Sequence, residues 1–216
     1  MTTGFRPGER RLGRDFFARP TLQVARDLVG RRLVRIRRGR RLAGRIVEVE
    51  AYIGASDSAC HGRSGITARN RALFGSPGRA YVYFSYGLHH LLNCVTEEEG
   101  FPAAVLLRAL EPEEGLKTMT RLRGGTGKGR GRQRERPPSW LAGGPARLCQ
   151  ALDIDLRLNG VDLALHDGLL LEEGEPPAQR AITATPRIGI DYAEARDRLA
   201  PWRFVAKASP CLSQRL

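Results

Sequence analysis

Two glutamates and a tyrosine are spaced at two-residue intervals in the stretch 44–53, which reads GRIVEVEAYI. Glu48, Glu50 and Tyr52 alternate with small apolar residues, and this period predicts a strand with one apolar face. Glu50 and Tyr52 therefore share a face. A carboxylate beside an aromatic ring at a strand end, followed by a glycine-rich loop with His61, can form part of a catalytic site. The alternative is that Glu48 and Glu50 line a solvated face.

An arginine interrupts an otherwise apolar run further along the chain. The stretch 103–110 reads AAVLLRAL and predicts a central strand, because near-continuous apolar runs are typical of strands buried on both faces. A charge at Arg108 in such a strand needs a partner, since an unpaired buried charge is costly. Arg108 is therefore a candidate site residue.

The predicted strands and helices that position these residues do not follow the repeated strand–helix–strand order of βαβ folds. Pro112 with Glu113 and Glu114 predicts the start of a helix that ends near Gly124, because proline suits the first turn and carboxylates favour the N-terminal dipole. A second helix is expected from Pro145 through Leu152. Strands are expected within a hairpin over 33–53, at 80–85, 91–96 and 103–110, and near 169–171, 187–190 and 203–206.

This mixture predicts an α+β fold with a curved, mostly antiparallel β-sheet flanked by short helices. We expect one domain over 1–216, with residues 1–12 disordered. The segment 124–138 is rich in Gly and Arg and is expected to be a mobile loop. It either touches a polyanion or is a plain flexible insertion.

The charge balance favours a polyanionic partner. The 216 residues include 36 Lys and Arg against 23 Asp and Glu, a net charge of +13. Such an excess attracts nucleic acid through screened Coulomb forces. Seven arginines lie between Arg31 and Arg41. They either contact a DNA backbone or blunt a solvated hairpin edge with charge.

The cysteines and histidines do not form a metal-binding pattern. Four scattered cysteines lack a C-x-x-C pair, and we expect them to be reduced, mostly buried thiols. No H-E-x-x-H is present, and no apolar run approaches the roughly 18 residues of a membrane span. The N-terminus lacks the apolar core of a secretory signal. We expect an intracellular, soluble protein.

Several segments, taken together and in order, resemble one enzyme family. The segments GRIVEVEAYIG, ACHGRSG, ARNRALFGSPGRAYVY, FSYGLHHLLNCV and AVLLRALEP resemble the alkyladenine (3-methyladenine) DNA glycosylases of the mammalian type. The likeness covers about residues 12–213. It implies a DNA repair enzyme that flips out alkylated or deaminated purines and hydrolyses the N-glycosidic bond, leaving an abasic site.

The resemblance also implies roles for the catalytic residues. Glu50 would be the general base that activates the attacking water. Arg108 would help to hold that water and the nearby phosphate, and the Ile188 carbonyl would be a further water ligand. Tyr86 would intercalate into the DNA and fill the stack that the base has left.

The base pocket is implied in the same way. Tyr52, His61 and Tyr83 would form its sides, and their faces would favour an electron-poor alkylpurine. The backbone N–H of His61 and the carbonyl of Ala59 would read the base edge. Asn93 would exclude guanine by clashing with its exocyclic amine.

The sequence departs from the family pattern at Cys60 and Gly62, which leaves the fine specificity open. No lysine lies between Gly44 and Arg108, which argues against lyase chemistry and favours a monofunctional hydrolase. No metal or organic cofactor is expected. The expected partner is double-stranded DNA containing damaged purines, with no membrane, bound by a monomer in the bacterial cytoplasm at the nucleoid.

Two other functions fit parts of the pattern. A basic nucleic-acid-binding protein without catalysis would account for the charge, but it would not need a carboxylate in a DNA-facing pocket. A small-molecule nucleosidase would need neither the charge nor an intercalating residue.

Overall fold

Eight β-strands form one sheet in the computed structural model, which describes residues 11–85, 87–124, 136–175 and 177–216. All their pairings are antiparallel. This confirms the predicted α+β class with a mostly antiparallel sheet. The strands are β1 (Arg32–Arg37), β2 (Arg40–Ile53), β3 (Ala80–Ser85), β4 (His89–Val95), β5 (Ala103–Glu114), β6 (Leu169–Glu172), β7 (Ile182–Thr185) and β8 (Arg203–Ala206).

Strand β2 is the centre of this sheet. The order is β3-β4-β5-β2-β1-β6, and β8 pairs with both β2 and β7. One edge of β2 pairs with β5 along most of its length. The other edge pairs first with β1 and then, over Glu48–Glu50, with β8. Register shifts between β2 and β5 mark bulges, which bend a strand and increase its twist. The end of β2 that carries Glu50 is thus enclosed by strands on both edges.

Short helices pack against the sheet. Residues of the helices Thr21–Leu28 and Pro145–Leu152 join strand residues in the main hydrophobic core, where Leu28 and Leu148 are fully buried. Burying one such side chain stabilises the fold by roughly 1.5–3 kcal/mol. Among the described residues, no helix combines the length and apolar character needed to cross a membrane. The helices are α1 (Arg14–Phe17), α2 (Thr21–Leu28), α3 (Leu116–Leu122), α4 (Ser139–Ala142), α5 (Pro145–Leu152) and α6 (Ala195–Leu199).

The predicted helix start at Pro112 is wrong. Strand β5 continues through Pro112 to Glu114, and α3 begins only at Leu116, after Gly115 in a left-handed conformation (φ 77°). Glu113 of this segment accepts a hydrogen bond from Arg32 of β1 at 2.7 Å. The carboxylates of Glu113 and Glu114 therefore pair with arginines on β1 and β2 instead of with a helix dipole.

The predicted strand at Arg187–Ile190 is also wrong, because the strand in this region is β7, which ends at Thr185. Pro186 has no backbone N–H and therefore cannot donate a hydrogen bond to a neighbouring strand. After it, the Arg187 side chain donates to the Ala51 carbonyl at 2.9 Å, and the Ile188 N–H donates to a side chain of β2. The segment is thus held by β2 in an irregular conformation.

The arginine-rich hairpin is largely neutralised within the fold. Strand β1 lies between β2 and β6 and is not an edge. Arg37 pairs with Asp153 at 2.5 Å, and Arg41 pairs with Glu172 at 2.7 Å. Arg38 and Arg40 at the turn are exposed. Most of these arginines therefore make contacts within the fold. The expectation that they blunt an exposed sheet edge with charge does not hold, because β1 is not an edge strand.

The remaining expectations concern the chain's ends and its cysteines. All four cysteines are free and buried, as predicted. Residues 1–10 lie outside the described part. The expected disorder is wrong for Leu12, which is buried and whose N–H donates to the Leu171 carbonyl at 2.9 Å. Within the segment 124–138, residues 125–135 lie outside the described part, and Arg136 lies 3.8 Å from the centre of the Trp140 ring.

Candidate active site

A β-bulge places one arginine between two glutamates. The β2–β5 register shifts between Glu48 and Val49, so that Arg108 is skipped in the pairing. Bulges of this kind re-aim a side chain. Arg108 Nε donates to Glu48 Oε1 at 2.9 Å, and Nη1 donates to Glu50 Oε2 at 3.1 Å. Both glutamate side chains are 0% exposed. The alternative of a solvated glutamate face is therefore wrong.

Glu50 accepts two further hydrogen bonds. The Ile188 N–H donates to Oε1 at 2.7 Å, and the Tyr52 hydroxyl donates to Oε2 at 2.9 Å. The Tyr52 contact confirms that the two residues share a face. Burial, followed by the charge of Glu50, raises the pKa of Tyr52 well above its usual value, so the hydroxyl remains protonated. With Arg108, three donors use three of the roughly four lone-pair sites of the carboxylate.

A cavity of about 510 Å³ lies against this group. Its size falls within the roughly 300–1,000 Å³ of small-ligand pockets. Glu50 lies immediately behind the cavity wall, because all three of its hydrogen-bond donors line the cavity. Seven of the residues singled out from the sequence meet here: Tyr52, Ala59, His61, Tyr83, Asn93, Arg108 and Ile188.

Three rings form an aromatic group on one side of the cavity. The rings of His61 and Tyr83 contact edge to face with centroids 4.5 Å apart. Tyr81, which the sequence reasoning missed, packs 5.4 Å from Tyr83, and its hydroxyl lies 2.9 Å from His61 Nδ1. Tyr81 and Tyr83 are two residues apart on β3 and so share a face, a signal that was available in the sequence.

The polar groups at the cavity edge are held by the loop after β2. The Ala59 N–H donates to Asp57 Oδ1 at 3.0 Å, which fixes the turn that precedes His61. The Ala59 carbonyl accepts a contact from the Tyr192 hydroxyl at 3.4 Å. On β4, Asn93 is buried and donates to the Tyr81 carbonyl at 3.1 Å. Tyr192 was not found from the sequence.

Comparison with known proteins shows the family of this chain. The family model for methylpurine-DNA glycosylase (MPG) matches residues 15–210. The chain belongs to the methylpurine-DNA glycosylase family. A relative from Methanocella arvoryzae is 52% identical over 94% of this chain and 96% of its own length. A relative from Carboxydothermus hydrogenoformans is 45% identical over 94% of this chain and 99% of its own length. A relative from Alkaliphilus oremlandii is 43% identical over 95% of this chain and 100% of its own length. Each carries the name "Putative 3-methyladenine DNA glycosylase".

The chain is thus a monofunctional DNA glycosylase of DNA repair, and its substrate is DNA. Within the described ranges of the glycosylase, no group of three or more His, Cys, Asp or Glu side chains is arranged to hold a metal ion. The residue expected to intercalate, Tyr86, lies outside the described residues. Its neighbour Ser85, at the end of β3, lines the cavity.

A buried ion pair supports the cavity of the glycosylase from behind. Arg187 Nη1 and Nη2 donate to Asp57 Oδ2 and Oδ1 at 2.6 and 2.8 Å, and both side chains are 0% exposed. The Arg187 guanidinium carbon lies 4.7 Å from the centre of the Tyr52 ring and 5.0 Å from that of Trp202. The pair thus fixes both the loop and a cavity ring. Its partners are 130 residues apart, so no local pattern could have predicted it.

A second, smaller hollow of about 360 Å³ adjoins the cavity and shares Arg108 and Ile188 with it. Arg147, near the start of α5, also lines this hollow. Two arginines facing a hollow beside the cavity can bind a phosphate group, since guanidinium groups suit forked contacts to phosphate. The sequence reasoning did not single out Arg147.

His61 is expected to titrate below the ordinary histidine range. Burial lowers its pKa, and the nearby charge of Arg69 lowers it further. An NMR titration of the His61 ring should therefore give a pKa below about 6.5. Replacing Arg69 by Gln should raise that pKa without restoring the ordinary value, because burial remains. A pKa above about 6.5 in the unsubstituted protein would contradict this account of the cavity.

Proposed function

We propose that this glycosylase removes damaged purines from double-stranded DNA by water attack on the N-glycosidic bond, with Glu50 as the general base. The observation that carries the proposal is the position of Glu50, fully buried and bonded by three groups that all line one cavity. A carboxylate at this position can take a proton from water at the cavity wall, and its charge stabilises an oxocarbenium-like transition state.

Arg108 and Ile188 would position the water. Arg108 holds Glu50 and also lines the cavity, so its remaining N–H groups are available to a phosphate oxygen. Burial lowers the pKa of Arg108, but the charges of Glu50 and Glu48 raise it, and the net direction is upward. Arg108 thus remains charged. Ile188 holds Glu50 with its N–H and would use its carbonyl as a water ligand.

The base would lie among the rings of the cavity. A purine in duplex DNA cannot reach a buried carboxylate, so it must be flipped out at a cost of a few kcal/mol. Tyr52, His61 and Tyr83 would contact its faces, and an alkylated, positively charged purine would gain cation–π attraction. A neutral His61 adds no opposing charge. The His61 N–H and the Ala59 carbonyl would read the base edge, and Asn93 would exclude guanine.

Tyr86 would fill the stack that the base leaves. The turn between β3 and β4 is the place for such a residue, because both strands contribute cavity-lining residues, Ser85 and Leu91. Phe84 and Leu88 next to this turn are exposed apolar side chains. They would contact the DNA beside the intercalated ring.

None of the described residues that line the cavity is a lysine. Base release without an imine intermediate fits this composition, because Schiff-base chemistry needs an amine at the reacting carbon. We further propose that the protein is a single domain and acts as a monomer at the nucleoid.

The proposal is tested with duplexes that each carry one lesion: 3-methyladenine, 7-methylguanine, hypoxanthine or ethenoadenine. After incubation with the purified protein, alkali cleaves the DNA at abasic sites. We expect cleavage at the lesion for at least one duplex and none for the undamaged duplex of the same sequence. A folded protein that releases no base from any of the four duplexes would contradict the proposal. It would instead favour the non-catalytic nucleic-acid-binding alternative.

A further inference from the structure

Glu48 is buried next to the candidate catalytic group but does not line the cavity. It accepts four hydrogen bonds. Arg108 Nε and Arg203 Nε donate to Oε1 at 2.9 and 2.8 Å, and the Ser213 hydroxyl donates to Oε1 at 2.6 Å. The Ser213 N–H donates to Oε2 at 2.6 Å. Three of these donors share Oε1 and one donates to Oε2. Glu48 is thus held by four protein donors, one more than Glu50.

The C-terminal segment also contacts this group, and Ser213 and Gln214 line the hollow that adjoins the cavity. Besides the two bonds from Ser213 to Glu48, Arg108 Nη2 donates to the Ser213 hydroxyl at 3.3 Å. Arg203 Nη2 donates to the Gln214 carbonyl at 3.1 Å, which ties the segment to β8. We call Glu48, Arg203, Ser213 and Gln214 the C-terminal clasp.

The clasp fixes the plane of the Arg108 guanidinium. This group is planar and rigid, so bonds along its Nε edge and at Nη2 determine where Nη1 points. Nη1 is the nitrogen that donates to Glu50. The three described bonds use three of the five N–H groups of Arg108. The other two are left for groups in the cavity and in the adjoining hollow, both of which Arg108 lines.

We propose that Glu48 and Ser213 are positioning residues for base excision, which act by holding Arg108 so that it presents its N–H groups to Glu50 and the substrate. This inference rests on the proposed function of Glu50 and Arg108. It gives the residues around 213, which are 163 positions from Glu50, a part in the rate of the chemical step. Because Ser213 also lines the hollow beside the cavity, DNA binding has to be measured separately from this rate.

Five versions of the full chain test the proposal: wild type, Glu48→Gln, Ser213→Ala, Ser213→Thr and Glu172→Gln. Glu172 is the matched control, because it is 1% exposed and paired with Arg41 but lies on the far edge strand β6. Excision is measured in single turnover, with enzyme in excess, on a lesion duplex that the wild type cleaves. Binding is measured separately, on a duplex with a tetrahydrofuran abasic analogue.

Glu48→Gln should lower the single-turnover rate by about 10–100-fold, because a misplacement of about 1 Å is enough for such a loss. Its Kd for the analogue duplex should change by less than about 3-fold, since the group does not contact DNA. Ser213→Ala should lower the rate by about 3–10-fold, and Ser213→Thr, which keeps the hydroxyl, should retain it. Glu172→Gln should lower stability but leave the rate of the folded protein within about 3-fold of wild type.

Wild-type rates in Glu48→Gln and Ser213→Ala would overturn the inference, and so would an equal loss of rate in Glu172→Gln. If Glu48→Gln does not fold, the comparison of Ser213→Ala with Ser213→Thr decides. Equal rates in these two variants would then overturn the inference. The outcome is distinct from failure of the proposed function, which would appear as no base release by the wild type or as full activity of a Glu50→Gln variant.

Discussion

Replacement of Glu50 by Gln is expected to lower the single-turnover rate of base excision by about 10²–10⁴-fold, the usual contribution of a general base. Gln has nearly the same shape as Glu but cannot accept the proton from water at neutral pH. Binding of the analogue duplex should be retained within about 10-fold, because Glu50 does not line the cavity. The two quantities are measured by single-turnover excision and by fluorescence anisotropy.

The folding of this variant has to be verified. The amide NH₂ of Gln faces at least one donor that the carboxylate accepted from, Arg108 or the Ile188 N–H. Leaving such a donor unsatisfied costs about 1–3 kcal/mol. Circular dichroism and urea unfolding identify that loss. Glu172→Gln serves again as a control with an equally buried carboxylate. Retained excision by folded Glu50→Gln would show that another group activates the water.

Replacement of Asp57 by Ala is expected to destabilise the fold by about 3–5 kcal/mol, the cost of removing one partner of a buried ion pair. Arg187 would keep its charge with 0% side-chain exposure and lose two hydrogen bonds. The Ala59 and Ile53 N–H groups would also lose their acceptor. The free energy of unfolding is measured by urea denaturation at pH 7.

The matched control for this prediction is Glu113→Ala. Glu113 also pairs with an arginine, Arg32, at 2.7 Å, but both side chains are about one-third exposed. Pairs exposed to this degree contribute about 0–1 kcal/mol. If Asp57→Ala destabilises no more than Glu113→Ala, the ion pair does not support the cavity. Tyr52, which packs on Arg187, should also shift in the Asp57→Ala variant. The near-ultraviolet circular dichroism should therefore change.

Elements with a strong local pattern were predicted closely. The bounds of β3 and β8 and those of α5 agree with the sequence expectation at both ends. The pairing of Glu50 and Tyr52 on one face also follows from the two-residue period of a strand. The alternation of apolar and polar residues and the positions of proline and glycine decide such features. All of this information lies in residues that are neighbours in the sequence.

Where local signals competed with distant partners, the prediction failed. Pro112–Glu114 has the composition of a helix start but remains in β5, because arginines on β1 and β2 pair with its carboxylates. Glu48 and Glu50 have the spacing of a solvated face, yet β8 and Ser213 enclose them on one side and Arg108 on another.

The sequence by itself determined the family, the fold class and which side chains are available for chemistry, because each is expressed in short segments of fixed order and spacing. Only the tertiary structure decided which carboxylate is held by four protein donors and which is held by three groups that line the cavity. It also decided that a bulge turns Arg108 towards both carboxylates, and that Asp57 holds Arg187. These features depend on groups more than 50 residues apart in the sequence. Strand pairing and burial bring these groups together, and no periodic pattern of neighbouring residues encodes such contacts.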